Sequence, residues 1–149
     1  AESICDRDED YLPFLNDITA LAFSRLSTRK KDKCIIFTNA LAAELQEDIE
    51  RLNNVRLLAV SMECAFIPVL VTCKHDENVK RLVAEDRAIK NKLRKTEILN
   101  DILARYTPAH LAEHPNALTI DNTNLDAAAA AQLIADHSKN CFVMRENDQ

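Results

Sequence analysis

Not one of the 149 residues is glycine. Average usage of about 7% would place roughly ten in a chain of this length, so every sharp reversal must be made by a residue that carries a Cβ. Twelve asparagines are the expected occupants of left-handed and turn positions, because Asn tolerates positive φ better than most residues. A phosphate-binding loop has no such substitute. The G-x-x-x-x-G-K-[ST] pattern turns successive backbone N–H groups toward phosphate oxygens, and side chains obstruct that approach. The nearest Lys/Ser/Thr grouping, Ser27-Thr28-Arg29-Lys30-Lys31, follows a predicted helix and does not open one.

A hydrophobic content of 47% is enough for one domain over residues 1–149 with a core of its own, with tails at 1–9 and 141–149. The net charge of -5 speaks against a nucleic-acid partner, since neutralising phosphates needs a basic face. No run of eighteen apolar residues and no signal-peptide pattern occurs, so no membrane partner is expected. The chain begins at Ala1 and not at Met, as a processed product or a piece of a longer chain would. Five cysteines (Cys5, Cys34, Cys64, Cys73, Cys141) contain no C-x-x-C pair. They are expected to be small core side chains in a reducing cytoplasm.

Hydrophobic spacing divides the chain into alternating helices and strands. Leu15, Ile18, Ala22 and Leu26 recur at helical intervals after Pro13, and Leu45, Ile49, Leu52, Val55, Ala59 and Met62 mark a second, longer helix. Short unbroken apolar runs predict strands at Cys34–Phe37, at Phe66–Thr72 with Pro68 near its start, and at Ala117–Ile120. Further helices are expected over Asp76–Arg87, over Thr96–Tyr106 with Thr96 as N-cap, and over Leu125–His137. The segment Cys141-Phe142-Val143-Met144 reads as an extra edge strand in the C-terminal tail. Strands alternating with helices imply βαβ units: a mainly parallel sheet in a three-layer α/β/α arrangement.

Three groupings carry chemistry. His110-Leu111-Ala112-Glu113-His114 matches the inverted zinc-protease pattern H-x-x-E-H, but Pro108 and Pro115 flank it and leave room for at most one helical turn. A surface turn is therefore the expected reading. The cations Arg81, Arg87, Lys90, Lys92, Arg94 and Lys95 follow the second strand. They either close over a phosphoryl group or form a solvated face held by i,i+4 ion pairs. Asp121-Asn122-Thr123-Asn124 ends the third strand, where open parallel sheets bind ligands. Helix capping explains the same residues equally well.

Several strings, in order, resemble the small P-loop ATP-dependent kinases of the shikimate-kinase-like and adenylate-kinase-like type. They are Ile35-Ile36-Phe37-Thr38-Asn39-Ala40-Leu41, then Phe66–Cys73 with Glu77–Val83 after it, then Glu85-Asp86-Arg87, Lys92-Leu93 and Ile98-Leu99, and finally Ala117–Asp121 before an alanine-rich helix. The resemblance spans residues 30–137 and implies a five-stranded parallel sheet and ATP with Mg2+ as cofactor. It implies lid cations at Arg81, Arg87 and Lys92, an adenine-side segment at Asp121, Asn122, Thr123 and Asn124, and a group near substrate or metal at Asn39. The family's first, central strand and its phosphate loop have no counterpart. The resemblance thus implies a degenerate or truncated kinase-like domain, not catalytic alone, with a small-molecule substrate and with a second copy or a partner chain completing the sheet. The alternative is part of an active kinase whose phosphate loop lies outside this chain.

Overall fold

The computed structural model describes residues 11–28, 34–85, 87, 93–109, 111 and 113–147. Among them the chain forms five helices and two strands: α1 (Tyr11–Ser27), α2 (Gln46–Ser61), β1 (Val69–Thr72), α3 (His75–Leu82), α4 (Thr96–Arg105), β2 (Leu118–Asp121) and α5 (Ala127–Asn147). The architecture is mixed α/β. The strands pair with each other in parallel, Val69 opposite Leu118 through Thr72 opposite Asp121, with α3 and α4 in the crossover between them. Pro68 sits just before β1, where its missing N–H breaks no ladder bond while its carbonyl accepts from Leu118 N–H at 3.0 Å.

One or two side chains from most elements make the core. Leu58 of α2 and Met62 at its C-cap, Leu82 of α3, Leu99 of α4, Ile120 of β2 and Cys141 of α5 are all buried. The stripe on α2 is the predicted one at Leu52, Val55, Ala59 and Met62, whereas Leu45 and Ile49 at its N-terminal end are exposed. The sheet is open on one side. Ile120 is 5% exposed, but its neighbours Thr119 and Asp121 face solvent, and Val71 of β1 is 47% exposed. Parallel strands are normally covered on both faces.

The predicted strand at Cys34–Phe37 does not form: residues 34–40 are exposed and irregular, with Ile36 at 80% exposure. The backbone pairing occurs a few residues later. Ala42 forms an antiparallel bridge with Pro108, flanked by Ala43 N–H to Thr107 O at 2.9 Å and Ala109 N–H to Leu41 O at 3.0 Å. β1 and β2 therefore meet without a strand between them. The second correction concerns Cys141-Phe142-Val143-Met144, not an edge strand but the continuation of α5. Five alanines propagate the helix, and no proline or glycine follows Pro115 to end it. Likewise α3 stops at Leu82 and not at Arg87, and Thr96 is the first helical residue of α4 and not its cap, which is Lys95 with no side-chain bond.

The left-handed position also differs from expectation. Among the described residues the one positive φ belongs to Glu63, at 52°, and not to an asparagine. It sits where α2 ends in a Schellman turn, with Glu63 N–H bonded to Val60 O at 2.9 Å and Cys64 N–H to Ala59 O at 2.8 Å. Those two bonds satisfy the last carbonyls of the helix and hold the glutamate in a conformation glycine would take without cost. Glu63→Gly is accordingly expected to be more stable than Glu63→Ala by roughly 0.5–1 kcal/mol, since both lack the glutamate side chain and only glycine escapes the left-handed strain, less its larger unfolded-state entropy. The midpoints of urea unfolding measure it; a midpoint for Glu63→Gly equal to or below that of Glu63→Ala contradicts this account.

Candidate functional site

The carboxyl ends of β1 and β2 lie side by side, and the chain beyond each strand folds over the other. Asn122 N–H extends the ladder to Thr72 O at 2.8 Å. Lys74 N–H then donates to Thr123 Oγ1 at 2.8 Å, while Thr123 donates to Asp121 Oδ1 from both its backbone N–H, at 2.9 Å, and its hydroxyl, at 2.5 Å. This is an Asx turn, in which a carboxylate two residues back holds the backbone. Asp126 supplies the N-cap of α5, its Oδ1 accepting from Ala129 N–H at 2.7 Å. The capping role predicted for 121–124 thus falls two residues beyond that segment.

Arg81, on the last turn of α3, reaches into this loop. Its Nε donates to Glu77 Oε1 at 2.8 Å, one Nη to Asn122 Oδ1 at 2.9 Å, and the other Nη to the carbonyls of Asn122 at 2.9 Å and Thr123 at 3.3 Å. Four of the five N–H groups a guanidinium offers are engaged. The fold therefore brings together the first cation of the predicted lid and three residues of the predicted adenine-side segment, and it does so by bonding them to one another. The i,i+4 pair Glu77–Arg81 is the ion pair expected of a charged helical face.

No other described candidate bonds into this network. Arg87 donates from Nε to Leu93 O at 3.0 Å, so it ties the start of the 87–93 segment to its end. Lys92 and His110 lie outside the described residues. Asn39 is exposed in the irregular stretch before α2, and Asn124 is exposed at the end of the β2 turn. Glu113 and His114 occupy a turn, with His114 N–H bonded to Leu111 O and Ala117 N–H to His114 O, as the flanking prolines require. No group of three or more metal-ligating side chains occurs among the described residues. None of the described helices is long and apolar enough to cross a membrane.

Sequence reasoning did not anticipate two features of this edge. Glu77 is held below its ordinary carboxylate value of 4.5, chiefly by the Arg81 hydrogen bond, and Asp121 below 3.8, chiefly by the Thr123 hydroxyl and then by its N–H. Both stay charged in the folded protein where the unfolded chain takes up a proton. The stability they contribute is therefore present above those ordinary values and lost as pH falls through the lower, folded ones. His114 behaves in the same sense at higher pH. Burial first, and the Arg56 charge second, hold its imidazole below the ordinary 6.5, so the unfolded chain is protonated first and stability declines as pH falls below that value. Urea midpoints measured from neutral pH downward are expected to show an early loss below about pH 6.5, absent in His114→Gln, before the carboxylate loss. A single acid transition in both proteins contradicts the assignment. No protein-family model, no curated protein and no solved structure matches this chain.

Proposed function

We propose that this chain is a binding module and not a self-sufficient catalyst: an α/β domain on the plan of the small ATP-dependent phosphotransferases, without their phosphate loop, that works in association with a second copy or a partner chain. The observation that carries this reading is the Arg81 network. On the kinase plan, that guanidinium would offset charge on a transferred phosphoryl group, but here it is bound by the loop it faces. A chain with no glycine has nothing to set beside it that would cradle phosphate oxygens. The uncovered face of β2 and the exposed Val71 support association, since a parallel pair gains from a further strand or layer. On this reading the three-layer plan is completed between chains.

The test has two arms. Titrating ATP with Mg2+ into the protein in a calorimeter is expected to give no binding heat, and light scattering on the eluting protein a mass above that of one chain. Tight nucleotide binding by the 149-residue chain would overturn the proposal, as would a strict monomer that no partner retains. A second reading, part of an active small-molecule kinase whose phosphate loop lies elsewhere, draws support from the position of Asp121–Asn124 at the carboxyl ends of parallel strands. It expects ATP affinity in a longer gene product, and slower phosphoryl transfer with little loss of binding on Arg87→Ala.

A further inference from the structure

The opposite end of the two strands carries a second feature that owes nothing to the phosphotransferase plan. The Schellman turn at Glu63 reverses the chain so that Cys64 and Phe66 return beside Arg56 and Val60 of α2. The turn that leads into β2 brings His114 and Asn116 to the same place. Between them lies an open pocket of about 160 Å³, room for several water molecules, each of which needs about 10–15 Å³ on this measure. Phe66 and Asn116 precede β1 and β2, so this is the amino end of the sheet.

The lining has a consistent polarity. Arg56 donates from Nε and one Nη to Asn53 Oδ1, at 3.1 and 2.9 Å, which leaves its second Nη without a partner in the described structure. Nδ1 of His114 accepts from Asn116 N–H at 3.2 Å, so the neutral ring carries its proton on Nε2 and offers a donor there. Edge-on contact with Phe66, centroids 5.0 Å apart at 87°, fixes the ring. The Asn116 amide is held in turn by Phe66 O at 3.3 Å. Among the described residues no carboxylate lines the pocket. The Arg56 charge disfavours a cation there, and the polar groups of the lining would be left unpaired by an apolar ligand.

We infer that this pocket binds a small oxyanion, a carboxylate or a phosphate, through the second Nη of Arg56 and Nε2–H of His114. A guanidinium and a neutral N–H donor beside a space of this size match two oxygens of one anion. Nitrogen-15 NMR on the whole protein tests it, with sodium phosphate and sodium acetate added separately against sodium chloride at equal ionic strength. Saturable shifts at His114 and Asn116 are expected with at least one anion: phosphate alone assigns the site to a phosphoryl ligand, acetate alone to a carboxylate, both to oxyanions in general. Arg56→Gln, at an exposed position, is expected to leave the remaining spectrum unchanged and weaken binding about tenfold, with Arg56→Lys in between. The inference fails if neither anion produces saturable shifts, or if Arg56→Gln binds as tightly as the wild type.

Discussion

Arg81→Met is expected to lower stability by about 2–3 kcal/mol, with Arg81→Lys recovering only a small part of the loss. The methionine keeps the length of the side chain and removes the fork. Left behind are the Glu77 carboxylate, the Asn122 side chain and the carbonyls of Asn122 and Thr123, which now accept from one guanidinium at 2.8 to 3.3 Å. Lysine restores a charge near Glu77 but cannot donate in one plane to two carbonyls and an amide. Because Arg81 joins α3 to the turn between β2 and α5, its removal should also loosen that turn. Amide exchange at Thr123 and Leu125, whose N–H groups bond to Asp121 and to Asn122 O, is expected to accelerate more than exchange in α2. If Arg81→Met unfolds at the wild-type urea concentration with unchanged exchange, the brace is not structural, and its donors are better regarded as held for a ligand.

Asp48→Ala is expected to cost about 2–3 kcal/mol, near 5–10 °C in melting temperature for a domain of this size. Asp48 is the buried charged residue of the described structure. Its Oδ2 accepts from the Ala42 N–H at 2.9 Å, and its Oδ1 from Arg51 Nη at 2.8 Å. It lies in the first turn of α2, where a negative charge is favoured by the helix dipole. Truncation strands the N–H of a buried residue in the Ala42–Pro108 bridge and frees the segment that the bridge docks. Asp48→Asn keeps an acceptor for Ala42 and is expected to recover about half. A loss below about 0.5 kcal/mol for Asp48→Ala, the range of ordinary surface changes, contradicts this role.

Both residues illustrate where reading the chain runs out. Periodicity placed α2, α4, β1 and β2 to within a few residues, and the parallel pairing followed from alternation of helix and strand. It failed where an element's identity depends on a neighbour. Cys34–Phe37 has the composition of a buried strand, but a strand exists only by pairing, and β1 takes β2 instead. Cys141–Met144 has equal β character, but the helix arriving from Ala127 meets nothing that would end it. The polar edge was half legible. The sequence puts Asp121–Asn124 at the end of a strand and makes Arg81 a cation, yet nothing in their spacing foretells that 41 positions of chain close to a hydrogen bond between Arg81 and Asn122. Asp48 carried no signal, because its partner at Ala42 is a backbone group and every residue has one.

The missing glycine was determined by the chain alone, and with it the absence of any glycine-built phosphate cradle, since that chemistry needs positions without a Cβ and this sequence has none. Local spacing likewise located α2, α4 and the apolar runs that become β1 and β2, while pairing decided which of the apolar runs are strands. Only the tertiary structure decided that Glu63, and not an asparagine, takes the left-handed turn, because the Schellman bonds and the return of Cys64 against α2 select the position. It alone decided that Arg81 serves its own loop, because a guanidinium donates to whichever acceptors the turn after β2 brings to the end of α3.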